Sequence, residues 1–174
     1  MESKAQIWVE TVIYTLIALA IMGLLLALIK PTIEEKKDKA VIEQSKLILD
    51  DINKKIEDVR FYGTGNSKIE EIVIKKGELI IDGKNDSIRF EVDSNYLASE
   101  LGENITIGKI IMSTLKKSKG YKVAFKLDYI GVLNITVAGK DSSKSFLPAV
   151  APHKFTITNE GKKGELIEIS FVSF

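Results

Sequence analysis

The segment Thr11–Ile29, TVIYTLIALAIMGLLLALI, constrains this chain more than any other part of it: 19 consecutive residues carry no charge. As an α-helix it spans roughly 29 Å, close to the hydrocarbon thickness of a bilayer. It is longer than the apolar core of an ordinary secretory signal, and no Ala-x-Ala site follows it. Lys30, Pro31 and the charged stretch Glu34–Lys39 end it. A single membrane-crossing helix is therefore predicted near the N-terminus. Of the 174 residues, the remainder suffices for one domain with a modest core.

Glu10 lies just inside the apolar block, behind Gln6, Ile7, Trp8 and Val9. A carboxylate in a membrane segment is costly unless it is paired or close to the interface, so it is a functional candidate. Trp8 and Tyr14 flank it and have the character of interfacial anchors. Ahead of it runs the short leader Ser3-Lys4-Ala5. The combination of leader, Gln6, Glu10 and uncharged helix resembles the class III signal peptide of archaeal type IV pilin-like proteins. In that family a prepilin peptidase cuts after a small residue that follows Lys or Arg. The first mature residue is often Gln and the fifth often Glu. Ala5 stands here where Gly is commonest.

The resemblance, which covers about the first 25 residues, implies cleavage between Ala5 and Gln6, with the helix kept on the mature subunit. It further implies that Glu10 neutralises the α-amine of Gln6 on a neighbouring subunit. Removing one partner of such a buried pair leaves a costly unpaired charge, so the pair is a register device. Cyclisation of Gln6 to pyroglutamate would remove the amine, and Glu10 would then need a hydrogen-bond partner instead. Gly23 and Ala27 form a small-xxx-small pair that allows helices to approach closely. Implied partners are further copies of the chain in a helical homopolymer, the prepilin peptidase, and an assembly platform with its ATPase. The precursor would reside in the cell membrane, and the filament would lie on the extracellular surface. The distribution of lysine points the other way. Lys4 alone precedes the helix, whereas Lys30, Lys36, Lys37 and Lys39 follow it, which by itself favours a cytoplasmic C-terminal domain.

Beyond the membrane segment, Thr32-Ile-Glu-Glu35 fits a capping box, and Pro31 predicts a kink or break before it. Ile42, Leu49 and Ile56 recur every seven residues, with Ser45, Ile52 and Val59 three residues later. That single stripe predicts a helix docked on the following domain. Gly63-Thr-Gly65-Asn66 supplies turn chemistry at its end. Strands are predicted at Ile69–Ile74, Glu78–Asp82, Ser87–Val92, Ile105–Met112, Tyr121–Tyr129, Leu133–Val137, Lys154–Thr158 and Leu166–Val172. Lys75-Lys76-Gly77 reads as the turn of a hairpin between the first two. The expected fold class is α+β: a long N-terminal transmembrane and spine helix followed by an antiparallel sheet or sandwich. The expected division is leader 1–5, membrane or filament-core helix 6–30, amphipathic spine 31–62 and extracellular β domain 63–174.

Three Asn-x-Ser/Thr sequons, at Asn85, Asn104 and Asn134, are candidate N-glycosylation sites and fit an exported domain. No enzymatic set stands out, and no cofactor or metal site is expected. Cys is absent and His153 is the only histidine, so thiol chemistry is excluded and a zinc site has too few ligands. His153, between Pro152 and Lys154, reads as an exposed loop residue. Asp50-Asp51 and Glu70-Glu71 are sequence neighbours whose side chains point apart. The net charge of +1 and the lack of aromatics among the basic runs argue against a nucleic-acid partner. Three readings follow. They are a filament subunit, a minor pilin or pseudopilin of a secretion or adhesion system, and an uncleaved single-pass anchor for a binding domain.

Overall fold

The computed structural model describes the chain from Glu2, with side chains from Ile7. Helix α1 spans Glu2–Tyr62. Ten strands follow: β1 (Ser67–Ile72), β2 (Glu78–Asp82), β3 (Ser87–Ser94), β4 (Asn104–Ile107), β5 (Ile110–Lys116), β6 (Tyr121–Asp128), β7 (Leu133–Val137), β8 (Ser143–Phe146), β9 (His153–Lys163) and β10 (Leu166–Ser173). The chain divides into two units, residues 1–37 and Asp38–Phe174. The class is α+β, a long apolar N-terminal helix followed by β-sheets.

The expected break at Pro31 is absent, and Thr32 is an interior residue of α1 rather than its N-cap. Pro31 removes one backbone hydrogen bond, to the Ala27 carbonyl, at a cost of about 3 kcal/mol. Strong helix formers on both sides (Leu24–Leu28 before, Glu34–Lys39 after) offset that cost and carry the helix through.

In the second unit the stripe on α1 is buried throughout: Ile42, Leu49, Ile56, Ser45, Ile52 and Val59 all lie in the core, joined by Ile48. Burial of the Ser45 hydroxyl is tolerated because it donates back to the Val41 carbonyl at 2.8 Å. The stripe and the inner faces of both sheets form one hydrophobic core. One sheet has the order β1-β9-β10-β7, the other β4-β5-β6-β3-β2-β8. Strand alternation places Ile88, Phe90 and Val92 of β3 and Val123, Phe125 and Leu127 of β6 inward, as the period of two requires. All pairs are antiparallel except β7–β10, which is parallel. Alternation within a strand looks the same in either case, so the orientation of this pair was not legible in the sequence.

Two expected connections are corrected. Residues 69–74 and 78–82 do not form a hairpin, because β1 pairs with β9 and β2 pairs with β3 and β8. Gly77 carries the chain from one sheet to the other at φ 93°, packed so closely that a Cβ would lie 2.6 Å from the Glu91 carbonyl oxygen. Turn chemistry announces a reversal but does not say which strand receives it. The single strand expected at Ile105–Met112 is instead the hairpin β4–β5, turning at Gly108 with φ 62°.

The end of α1 follows the expected turn at Gly63 and Gly65, both at positive φ. Its terminal carbonyls are satisfied from a distance as well as locally. Asn66 Nδ2 donates to Tyr62 O at 2.8 Å, and Asn159 Nδ2 donates to Val59 O at 3.0 Å. Asn159 reaches the helix beside an irregularity in the β9–β10 register, where Glu160 has no partner of its own. Such a bulge re-aims a neighbouring side chain.

Candidate functional site

In the first unit the candidate site is the N-terminal half of α1. Every side chain from Ile7 to Lys37 is exposed. Trp8 is 72% exposed, Tyr14 63% and Leu24 64%. An apolar surface of this extent is not maintained in water and requires lipid or protein around it. The helix is long and apolar enough to cross a membrane, which is compatible with membrane anchoring.

Between Ile7 and Ile29 the polar side chains all lie before Ile17, in the first turns. Thr11 Oγ1 donates to Ile7 O at 2.9 Å, and Thr15 Oγ1 donates to Thr11 O at 2.8 Å. Both hydroxyls are thereby satisfied within the helix, as an apolar surrounding demands. Glu10 accepts a hydrogen bond from the Tyr14 hydroxyl at 3.0 Å. The spacing of four residues puts both side chains on one face. The sequence reading of Tyr14 as an interfacial anchor missed this contact, although the spacing was there to be read. The expected processing junction, Ala5–Gln6, lies outside the residues whose side chains are described. The amine expected opposite Glu10 would belong to another chain.

Farther along, Gly23 has nothing within 4 Å of the place where a Cβ would stand. Its own chain gives no reason for a glycine there, although mid-helix glycine costs about 1 kcal/mol relative to alanine. Ala27, one turn on, is also exposed. The two place small residues one turn apart on one face of the helix.

In the second unit the sequons occupy three different environments. Asn104 opens β4 and is exposed, as is Thr106. Asn85 lies in the turn between β2 and β3; its Nδ2 donates to Asp82 Oδ2 at 2.9 Å, and Ser87 is buried. Asn134 is half-buried in β7 with its Nδ2 enclosed. Thr136 of that sequon is fully buried and donates through Oγ1 to Glu168 at 3.0 Å.

Residues considered for chemistry are engaged structurally. His153 is the first residue of β9 and half-buried, not an exposed loop residue. Its Nε2 donates to the Leu147 carbonyl at 2.7 Å and its ring packs edge-on to Phe146. Glu70 is buried and paired with Lys55, whereas its neighbour Glu71 points outward to Lys154. Asp50 and Asp51 both face Lys54 along α1. Among the described residues no three His, Cys, Asp or Glu side chains gather as metal ligands would.

Sequence reasoning also missed two buried aspartates. Asp38, where the second unit begins, pairs with Lys76 and accepts from Asn95 N at 2.7 Å. Asp82 accepts from Asn85, Ser143 Oγ, Lys84 N and Arg89. Burial alone would raise its pKa; these four donors outweigh it and hold the carboxyl below the usual aspartate value.

Comparison with family models, curated proteins and solved structures finds no match.

Proposed function

We propose that the protein is the structural subunit of a type IV pilus-like surface filament. In this reading, removal of the leader at Ala5–Gln6 precedes assembly through the apolar half of α1. The observation that carries it is Glu10: the one carboxylate in the exposed apolar stretch Ile7–Ile29, at the fifth position after a leader of the class III kind. Gly23 supports it, because its cost is recovered only where another helix comes close.

Mechanistically, the membrane-resident subunit keeps Glu10 hydrogen-bonded to Tyr14. On assembly the carboxylate turns to the α-amine of Gln6 on a neighbour, and the Tyr14 hydroxyl remains as a second donor. An incoming subunit out of register leaves both charges unpaired among apolar side chains, which costs several kcal/mol. Subunit partners are copies of the same chain, and the peptidase, platform and ATPase are those the leader implies. The β domain would tile the outer surface.

Two measurements test this. Intact mass of the membrane-extracted protein is expected to correspond to a chain starting at Gln6. Glu10→Ala is expected to leave the subunit in the membrane and absent from filaments. Retention of Met1–Ala5, or normal filaments from Glu10→Ala, overturns the proposal.

A second reading, an uncleaved membrane anchor for a binding domain, is favoured by one observation: the lysines at 30, 36, 37 and 39 against Lys4 alone. The same mass measurement separates the two.

A further inference from the structure

We infer that Asn104 is the one sequon of this chain that carries an N-linked glycan. The inference rests on one part of the proposed function, the outward orientation of the β domain, and not on filament assembly.

An N-linked glycan requires an asparagine Nδ2 free to leave the protein surface, a reachable hydroxyl two residues on, and space for the first sugar. Asn134 fails each condition, since its Nδ2 is enclosed and Thr136 is buried and bonded to Glu168. A sugar there would have to displace the β7–β10 pairing. Asn85 is exposed, but its Nδ2 is held by Asp82 and Ser87 is 1% exposed. Attachment would pull one of the four donors away from the buried Asp82 carboxylate.

Asn104 meets all three conditions. Both Asn104 and Thr106 are exposed, on a four-residue strand at the edge of its sheet that pairs only with β5. The register places Asn104 beside Ser113, and Ser113 beside Ala124, on the outer sheet face. These two small residues leave a hollow of about 390 Å³ that Asn104 itself lines. Arg89, Glu91 and Lys126 border it, offering donors and acceptors to sugar hydroxyls. This hollow is the space offered to a first sugar, over the short side chains of Ser113 and Ala124.

The step is a glycosyl transfer without redox change. Asn104 Nδ2 bonds to the anomeric carbon of a phosphate-activated, lipid-linked sugar and releases one of its two protons to solvent. The carbon–oxygen bond to phosphate breaks, and the phosphate leaves with the bonding pair.

The test is peptide mapping by mass spectrometry of the full-length protein isolated from its native membrane. The peptide containing Asn104 is expected to carry a carbohydrate mass, and those containing Asn85 and Asn134 are expected not to. Asn104→Gln and, independently, Thr106→Ala are expected to abolish the adduct, while Asn85→Gln leaves it in place. An unmodified Asn104 peptide, or carbohydrate on Asn134 or Asn85, overturns the inference. Starting the chain at Gln6 without any carbohydrate would sink this inference and leave the filament proposal standing.

Discussion

Between Ile7 and Lys37 every side chain of α1 is exposed, whereas between Asp38 and Tyr62 one stripe of the same helix is buried in a core built from ten strands. The secondary structure is identical in the two segments. What differs is the periodicity of polarity. From Thr11 to Ile29 of the first segment apolar residues occupy every face, so no one side is preferred and the surrounding medium has to be apolar. In the second, apolar residues return every three to four positions, and charges such as Glu43, Lys46, Asp50 and Lys54 fill the rest. Helix formation is thus shared, and the pattern decides whether a helix finds its partner within its own chain.

The largest effect that would break this contrast comes from matched truncations. Ile52→Ala is expected to destabilise the β-bearing unit by about 2–5 kcal/mol, because Ile52 is fully buried. Leu19→Ala is expected to leave the unfolding of that unit unchanged. Denaturant unfolding of the two variants in detergent, followed by β-sheet circular dichroism, checks both, and equal shifts would erase the distinction between the segments.

A smaller effect sharpens the comparison at the end of the helix. Asn159→Ala removes the donor to Val59 O and the acceptor for Gly161 N. With both groups buried, a loss of about 1–3 kcal/mol is expected, together with faster hydrogen exchange in the last turn of α1. The first turns of the helix should exchange as before.

The smallest effect appears only in acid. Since the folded pKa of Asp82 lies below its unfolded value, its contribution is complete above the ordinary aspartate pKa. That contribution is lost as pH falls through the lower folded value. Asp82→Asn should therefore flatten part of the acid limb of the stability curve. An unchanged limb would place the acid sensitivity elsewhere, for instance at Asp128, whose pKa is also lowered, chiefly by its hydrogen bond from Lys126.

Much of the site was legible in the primary sequence because its signals are local. Glu10 is conspicuous as the only charge within an apolar helix, and Gly23 as a glycine where alanine would do. Tyr14 reads as an interfacial residue because aromatic side chains near a membrane boundary usually anchor there, and its hydrogen bond to Glu10 needs the helix geometry. Of the sequons, all three look alike as tripeptides. Their difference arises only in the fold, where Asp82 holds Asn85 and the sheet around β7 encloses Asn134.

By itself the amino-acid order determined the elements: an apolar helix of membrane length, a stripe facing inward, and strands that alternate. Those follow from rise per residue and from periods of 3.6 and 2, which neighbouring residues alone establish. Tertiary structure decided which strand lies beside which, that β7 and β10 run parallel, and that Lys75-Lys76-Gly77 crosses between sheets. Strand pairing joins residues far apart in the chain, and its energy comes from burying two faces together, so no local run of residues encodes it.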